Sequence, residues 1–367
     1  MERTVTVSKV SEKTIEEIAR EAIPQICVVG VGGAGCNIVS WMKEKGIAGA
    51  RIYALNTDAK HLGITRADRR ILIGYQTCGG LGTGGFTEQG SKAAEESAGE
   101  IEKIIAGSGL LFITAGLGGG TGTGASPVIA NIAKDLGVLT IGVVTIPFQV
   151  ERTRMEKAKE GLGRLVEQCD AVIVIDNARL RKFAGALPLS EAFAVANELI
   201  ANFIKNISET IAIPSLVNLD FADLKVIMTG ARICAVGIGE GQGDNMVEEA
   251  VEKALNTQLL DIGDLKKSEG GLVHLEGGDD MTLEDVTKAG ELVISRVSPT
   301  ARVSWGARVN SKMEGTMKAT IVLAGVQSPF LEAATPPVAI GQPTGPGLEA
   351  QVVKKPEEPK KRGFFGF

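Results

Sequence analysis

From residue 26 to about residue 176 the chain alternates short apolar runs with longer segments of helical pattern, and no other feature restricts the possible folds as strongly. Apolar runs of strand length separated by helical segments are typical of a parallel sheet covered by helices on both faces. We therefore expect an α/β fold with a Rossmann-like parallel sheet. The expected strands are residues 26–29, 51–55, 71–73, 110–114, 139–145 and 171–175.

The second half of the chain has a different organisation. The whole chain has 367 residues, which is long enough for two hydrophobic cores. A long helical pattern begins near Leu189 and leads into expected strands at 233–237, 271–275, 301–307 and 317–324, with helices at 245–256 and 283–297. The predicted parts are an amino-terminal extension (1–24), a first α/β domain (25–188), a central helix (189–212), a smaller α/β domain (213–326) and a proline-rich, disordered tail (327–367).

Composition excludes several classes of function. The net charge of -5 and the lack of a basic stripe argue against nucleic acid as a partner. The five cysteines have no CxxC spacing and the two histidines are far apart, so we expect neither a disulfide framework nor a protein-held metal. Because no apolar run reaches about 18 residues and the amino terminus is charged, we expect a cytoplasmic protein without membrane insertion.

The first chemical signal is the sequence GVGGAGCN at residues 30–37, which follows an expected strand and opens a helix predicted from Asn37. Glycines let a backbone approach a phosphate, and a helix amino terminus favours its negative charge. The segment also fits the dinucleotide pattern, because Asp58 lies about twenty residues beyond it. This segment alone therefore leaves a dehydrogenase as an alternative.

Two further glycine-rich segments favour a nucleoside triphosphate. The sequence GLGGGTGTG at 116–124 again stands between an expected strand and a helix, predicted at 125–135, and GGLGTGG at 79–85 can close over a terminal phosphate. Thr121 and Thr123 add hydroxyl donors. Since no GxxxxGK[ST] loop occurs, the phosphate charge must be met by backbone amides and by Mg²⁺.

The GGGTGTG sequence at 118–124 resembles the signature of the tubulin/FtsZ family, and other segments agree with FtsZ in the same order. They are GGAGCN at 32–37, NTDA at 56–59, PF at 147–148 and NLDFAD at 218–223. The resemblance covers roughly residues 25–326, and the amino-terminal extension and the general character of the sequence suggest an archaeal FtsZ. It implies the tubulin/FtsZ fold, with residues 25–188 as the GTP-binding domain, and a cell-division GTPase that polymerises head to tail into a cytokinetic ring.

The resemblance also implies which residues contact GTP or GDP. The glycine-rich segments would bind phosphates, Glu151 would bind the ribose, and Asn177, Phe193 and Asn197 would contact guanine through amide pairing and ring stacking. The implied nucleotide-binding residues are Gly33, Ala34, Gly35, Cys36, Asn37, Asn56, Thr57, Asp58, Thr83, Gly84, Gly85, Gly120, Thr121, Gly122, Glu151, Arg154, Asn177, Phe193 and Asn197.

Two positions depart from the family pattern. The family places an arginine four residues after the ribose-binding glutamate, whereas here one residue is missing from the sequence ERTR at 151–154. Arg154 is the preferred phosphate-proximal arginine because Met155 follows it, and Arg152 is the alternative. Ser215 stands where a glycine commonly begins the loop before Asn218.

Asp220 and Asp223 are the candidate catalytic carboxylates, able to orient a water for attack on the terminal phosphate. Their spacing by itself equally fits simple capping of a helix start. The resemblance implies that these two residues, with Asn218, enter the nucleotide site of the next subunit.

The sequence KKRGFFGF at 360–367 ends the tail with three aromatics after a basic cluster. Such a peptide can dock in the groove of a membrane anchor or another division protein, and a frayed terminus is the alternative. For the whole chain, a tubulin-like protein that controls cell shape is a second candidate, and a nucleotide-dependent oxidoreductase is a third.

Overall fold

The computed structural model describes residues 24–47, 49–179, 187–212, 220–256 and 264–331. Ten strands in these ranges form one sheet. The strands are β1 (Ile26–Val31), β2 (Ala50–Asn56), β3 (Arg69–Leu72), β4 (Leu110–Gly116), β5 (Leu139–Ile146), β6 (Ala171–Asp176), β7 (Arg232–Gln242), β8 (Gly270–Gly277), β9 (Arg302–Val309) and β10 (Thr316–Ala324).

Eleven α-helices with bounds in the described ranges accompany the sheet, together with two 3-10 helices at Gly243–Asn245 and Leu265–Lys267. The helices are α1 (Gly32–Lys45), α2 (Ala59–Ile64), α3 (Tyr75–Cys78), α4 (Thr87–Glu96), α5 (Ala98–Ile105), α6 (Thr121–Asp135), α7 (Arg152–Gln168), α8 (Leu189–Ala212), α9 (Phe221–Met228), α10 (Met246–Asn256) and α11 (Leu283–Arg296). All ten strands coincide with strands expected from the sequence, and α8 coincides with the expected long helix.

The strand order is β3-β2-β1-β4-β5-β6-β7-β10-β8-β9. From β3 to β7 every neighbouring pair is parallel, whereas β10 runs antiparallel to both β7 and β8. The carboxyl-terminal strands thus extend the first sheet, through a β6–β7 pairing of three residues on each strand. The sequence did not reveal this continuity, and the predicted domain boundaries stay predictions.

Each face of the sheet has its own apolar core. In β4 the side chains of Leu111 and Ile113 belong to the core under α4–α7, whereas Leu110 and Phe112 belong to the core under α1, α8 and α9. A strand buried on both faces needs apolar residues at every position, which explains why the continuous apolar runs located the strands correctly.

The two helices after the glycine-rich segments begin earlier than expected. The sequence predicted starts at Asn37 and Ala125, but α1 begins at Gly32 and α6 at Thr121. Gly32, Gly33 and Gly35 therefore belong to the first turns of α1, and Gly122 and Gly124 to those of α6, whereas Gly118, Gly119 and Gly120 lie in the turn before α6. Glycine lowers helix propensity, and here close packing overrides that preference.

Among the described residues no helix is both long enough and apolar enough to cross a membrane. Residues 1–23 of the predicted amino-terminal extension, the tail peptide and Asn218 lie outside the described residues, as does Ser215.

Candidate nucleotide site

The carboxyl ends of five parallel strands meet at one edge of the sheet. The ladder pairs Val31 of β1 with Leu55 of β2 and with Ala115 of β4, while Ile146 of β5 pairs with Asp176 of β6. The strand order reverses direction between β1 and β4, and in open α/β sheets ligands bind in the crevice at such a switch point. Two of the three glycine-rich segments directly follow these two strands.

The first segment is shaped by close backbone packing. A Cβ atom at Gly35 would come closer than 3.0 Å to the Thr114 carbonyl oxygen, and Gly32 has a φ of 70° and faces the Gly122 amide. Gly33, by contrast, is exposed with nothing within 4 Å of its Cβ position. Gly33 therefore presents open backbone at the start of α1, where free amides can receive a phosphate.

The other members of this segment differ in what they expose. Ala34 and Asn37 are exposed. Cys36 is buried, its Sγ lies 3.8 Å from the Leu55 carbonyl oxygen, and burial raises the pKa of its thiol to about 12. Cys36 can serve a nucleotide only through its backbone.

The second segment leads into α6 and touches the first. A Cβ atom at Gly32 would lie 2.9 Å from the amide nitrogen of Gly122, so the amino-terminal turns of α1 and α6 adjoin. The Thr121 hydroxyl lies 2.7 Å from that of Thr57. Thr123 is buried and its Oγ1 accepts a hydrogen bond from the Gly118 amide at 2.8 Å, so its role as a hydroxyl donor to the ligand stays a prediction.

Residues 56–58 form a supporting turn beside these helix starts. Asn56 Oδ1 accepts from the amides of Thr57 at 2.9 Å and Asp58 at 3.4 Å. Asp58 caps α2 by accepting from the His61 amide at 3.0 Å. The buried side chains of Asn56 and Thr57 thus shape the site, and Asp58 is half-buried beside it.

The third segment lies against the start of α6. Gly79, Gly80, Gly82, Gly84 and Gly85 have positive φ angles, a conformation that favours glycine. A Cβ at Gly120 would come closer than 3.0 Å to Thr83 Oγ1 and to the backbone of Phe86. Thr83, Gly84 and Gly85 are therefore next to the predicted phosphate-binding residues Gly120, Thr121 and Gly122.

Glu151 and Arg154 stand together at the start of α7. Glu151 accepts from the Phe148 amide at 3.2 Å and from Arg154 Nη1 at 2.8 Å. A Cβ atom at Gly118 would be 3.1 Å from the Cβ of Arg154. Arg154 thus lies against the second glycine-rich segment, and this contact supports the choice of Arg154 over Arg152.

The three residues predicted to contact guanine reach the same edge from two elements. Asn177 directly follows β6. The ring of Phe193 on α8 is 42% exposed and meets the ring of Phe148 edge to face, with centroids 6.3 Å apart. Asn197 lies one turn further along α8, half-buried. A partly exposed ring beside two amides suits a purine base.

Asp220 and Asp223 lie at the opposite edge of the sheet. Phe221, which follows Asp220, packs near Gly109 at the amino end of β4, 3.8 Å from its Cβ position. Burial raises the pKa of Asp170, just before β6, and the charge of Lys225 on α9 partly opposes that shift. Since β4 has seven residues, its two ends are about 20 Å apart. The structure does not bring these carboxylates to the glycine-rich segments of the same chain.

The capping interpretation of Asp220 is confirmed, because its side chain accepts from the Asp223 amide at 2.8 Å and begins α9. Both carboxylates are exposed. One residue at the nucleotide edge was missed from the sequence: Lys157 on α7, whose Nζ donates to the Gly85 carbonyl oxygen at 2.7 Å. No sequence signal links these positions, which are 72 residues apart.

Comparison with known proteins agrees with this geometry. Residues 25–185 match the family model described as "Tubulin/FtsZ family, GTPase domain", and residues 233–327 match "FtsZ family, C-terminal domain". The chain is 43% identical to "Cell division protein FtsZ 2" of Methanocaldococcus jannaschii, over 93% of this chain and 88% of that protein. It is 46% identical to "Cell division protein FtsZ 1" of Archaeoglobus fulgidus, over 87% and 86%.

Solved structures give the same relationship. An FtsZ dimer from M. jannaschii superimposes with a TM-score of 0.80 and 41% identity, covering 88% of this chain and 98% of that one. CetZ2 from Haloferax volcanii superimposes with a TM-score of 0.72 at 23% identity, covering 83% and 93%, and shares the fold.

Proposed function

The chain belongs to the tubulin/FtsZ family as an FtsZ-type cell-division GTPase, and from this premise we propose that a second copy, stacked head to tail, completes its GTP site. The observation that carries the proposal is the separation of the nucleotide edge from Asp220 and Asp223 by the length of the parallel strands. No single chain can unite the two groups without unfolding the sheet. A head-to-tail stack places the carboxylate edge of one subunit on the nucleotide edge of the next.

The nucleotide edge binds GTP in three parts. The phosphates are received by the amides at the first turns of α1 and α6, with Thr83–Gly85 beside them, because these amides have no partners within their helices. Glu151, held by the Phe148 amide, binds the ribose. Asn177, Phe193 and Asn197 bind guanine.

Mg²⁺ accompanies the triphosphate in this proposal. Within the described residues no group of three or more His, Cys, Asp and Glu side chains can hold a metal ion. Mg²⁺ usually keeps several waters and binds substrate phosphates beside few protein ligands, so the donor set at this edge fits an ion that arrives with GTP. Bound there, it neutralises phosphate charge.

The carboxylate edge supplies the group that orients the attacking water. The Asp220 carboxylate is already engaged as the cap of α9, whereas Asp223 takes part in that cap through its backbone amide. We assign the water-orienting role first to Asp223, with Asp220 and Asn218 beside it. Hydrolysis then removes phosphate contacts at the interface, weakens the stack and couples turnover to disassembly.

Phosphate release and sedimentation, measured against protein concentration, test this function. We expect GTP turnover per chain to rise above a threshold concentration together with GTP-dependent pelleting. Asp223→Ala should pellet but lose at least about 100-fold in turnover, as expected when a group acting in the transition state is removed. Asp279→Ala, which removes an exposed carboxylate next to β8, is the charge-matched control and should resemble the wild type.

Turnover per chain that stays constant across the dilution series would contradict a shared site. GTP binding without any turnover or pelleting would reduce the function to nucleotide binding.

The filaments are proposed to act as a cytokinetic ring at the division site in the cytoplasm. Residues 360–367, outside the described part of the chain, are proposed to dock on a membrane anchor or another division protein. Deleting residues 361–367 should abolish ring placement in cells while GTPase activity is retained. Unchanged ring placement would reject the docking role.

A further inference from the structure

One face of α7 contacts two of the three glycine-rich segments. Arg154, Lys157 and Gly161 are spaced three and four residues apart, so they share that face. Arg154 packs on Gly118, Lys157 Nζ donates to the Gly85 carbonyl oxygen at 2.7 Å, and a Cβ at Gly161 would come closer than 3.0 Å to the Thr123 side chain. The helix thus joins the second and third segments.

The two basic side chains of this face differ in their ion pairs. Arg154 is paired with Glu151 at 2.8 Å. Lys157 is half-buried, forms no ion pair within the part of the chain that the structure describes, and holds its ammonium 5.9 Å from the centroid of the Phe86 ring. An ammonium has three donors, and Gly85 uses one of them.

The segment that Lys157 contacts is held partly by residues outside it. Five of its seven residues are glycines with positive φ, which restrict the backbone least. Contacts from outside the segment include four: the Ala59 amide donates to the Gly80 carbonyl oxygen at 2.9 Å, the Gly82 amide donates to the Thr57 carbonyl oxygen at 3.1 Å, Thr83 packs on Gly120, and Lys157 binds Gly85. Lys157 is the contact that carries a charge.

We propose that Lys157 is a positioning residue that distinguishes GTP from GDP. It holds residues 79–86 against the start of α6 and brings to that place a positive charge that the terminal phosphate of GTP meets and GDP does not. The chain has no lysine within its three glycine-rich segments, so α7 delivers this charge across the fold. The inference rests on the proposed function, because it requires a triphosphate at the starts of α1 and α6.

Equilibrium binding of GDP and of a slowly hydrolysed GTP analogue to the full chain tests the proposal. Lys157→Met keeps the length of the side chain and removes the charge and the donor. We expect its affinity for the GTP analogue to fall about tenfold, as for loss of a charged hydrogen-bond donor, with GDP affinity changed less than about twofold. Lys157→Arg should recover most of the preference for GTP.

Two variants make the comparison specific. Lys159→Met removes the same charge from an exposed position of the same helix and should leave both affinities unchanged. Lys157→Gln retains a donor for Gly85 but no charge, and it should also lose affinity for the GTP analogue. If Lys157→Met does not fold, Lys157→Gln tests whether the charge of Lys157 sets the preference for GTP over GDP.

Hydrogen exchange supplies a readout that does not depend on turnover. In the wild type, amides of residues 79–87 should exchange more slowly with the GTP analogue than with GDP, and Lys157→Met should lose that difference. A folded Lys157→Met with the wild-type ratio of GTP to GDP affinities would overturn the inference and leave the proposed function intact. A wild-type chain that binds no guanine nucleotide would overturn both.

Discussion

At the scale of single residues, the glycines of one short segment have different roles. Gly30 and Gly35 face each other across the strand-to-helix junction, and a Cβ on either would come closer than 3.0 Å to backbone atoms. Gly33 lies between them and is exposed, with open space where its Cβ would be. Packing therefore explains Gly30 and Gly35, whereas no packing contact requires glycine at residue 33, where we predict that a phosphate approaches the backbone.

A pair of alanine variants separates these roles. Gly35→Ala should lower the free energy of unfolding by roughly 1–3 kcal/mol, because the added methyl group overlaps the Thr114 carbonyl oxygen. Gly33→Ala should unfold at least as late as the wild type, since alanine is the better helix former, but should bind GTP at least about tenfold more weakly. Chemical denaturation and equilibrium nucleotide binding measure the two effects.

The opposite pattern, with Gly33→Ala unstable and Gly35→Ala tight-binding, would contradict this division. Wild-type affinity in Gly33→Ala would remove Gly33 from the phosphate site.

At the scale of elements, α8 is fastened to the carboxyl-terminal strands by polar groups. Glu209 accepts from Arg308 of β9 at 2.8 Å, and Asn206 Nδ2 donates to Thr320 Oγ1 of β10 at 3.3 Å. His274 of β8 pairs in register with Thr320 and is 3% exposed, and its Nε2 has no hydrogen-bond partner within the described chain. A buried imidazole without a partner is stable only in its neutral form.

Burial lowers the pKa of His274 from 6.5 to about 4, and the nearby charges of Glu276, Arg308, Lys318 and Glu209 partly offset one another. Well above pH 6.5 the imidazole is neutral in both the folded and the unfolded chain, so its titration does not change the free energy of unfolding. As the pH falls from 6.5 towards 4, only the unfolded chain gains this proton, and the folded state loses stability.

This titration predicts a measurable acid sensitivity. Between pH 7.5 and pH 4 it should cost the wild type roughly 3 kcal/mol of unfolding free energy. His274→Leu has no imidazole to titrate, so its unfolding free energy should fall by roughly 3 kcal/mol less than that of the wild type over the same pH range. The carboxylates contribute equally to both proteins. Denaturant unfolding at a series of pH values makes the comparison, and parallel pH profiles for the two proteins would rule out a buried neutral His274.

At the scale of the whole molecule, the parallel strands give the subunit two unlike ends. One end carries the glycine-rich segments and the other carries Asp220 and Asp223, so only a head-to-tail arrangement brings the two together. Such heterologous contacts generate open filaments when their rotation does not close a ring.

Mixing two inactive variants tests this arrangement directly. Asp223→Ala keeps the nucleotide edge, and Gly33→Trp blocks it while keeping Asp223. Each alone should hydrolyse little GTP, but in a mixture the nucleotide of the first can meet the Asp223 of the second. We expect phosphate release to rise at least several-fold on mixing, with a maximum near equal amounts. Activity no greater than the sum of the separate variants would contradict a site shared between subunits.

The sequence predicted the sheet correctly but placed the helix starts wrongly. Strands buried on both faces, such as β4 and β5, leave continuous apolar runs, and these runs located them in the sequence. Glycine-rich turns leave no such signal, so the starts of α1 and α6 were placed at Asn37 and Ala125, past their true positions at Gly32 and Thr121. The hydrogen bond from the Gly118 amide to Thr123 Oγ1 was not predicted for the same reason.

The sequence by itself determined the parallel α/β fold, the family and the segments that form the nucleotide edge, because apolar periodicity and glycine motifs are written in neighbouring residues. The tertiary structure alone decided which groups meet. It placed Lys157 on Gly85, turned Thr123 and Cys36 inward, and put Asp223 at the far edge of the sheet. These contacts join residues far apart along the chain, and their distances depend on strand length and helix packing, which local sequence patterns do not encode.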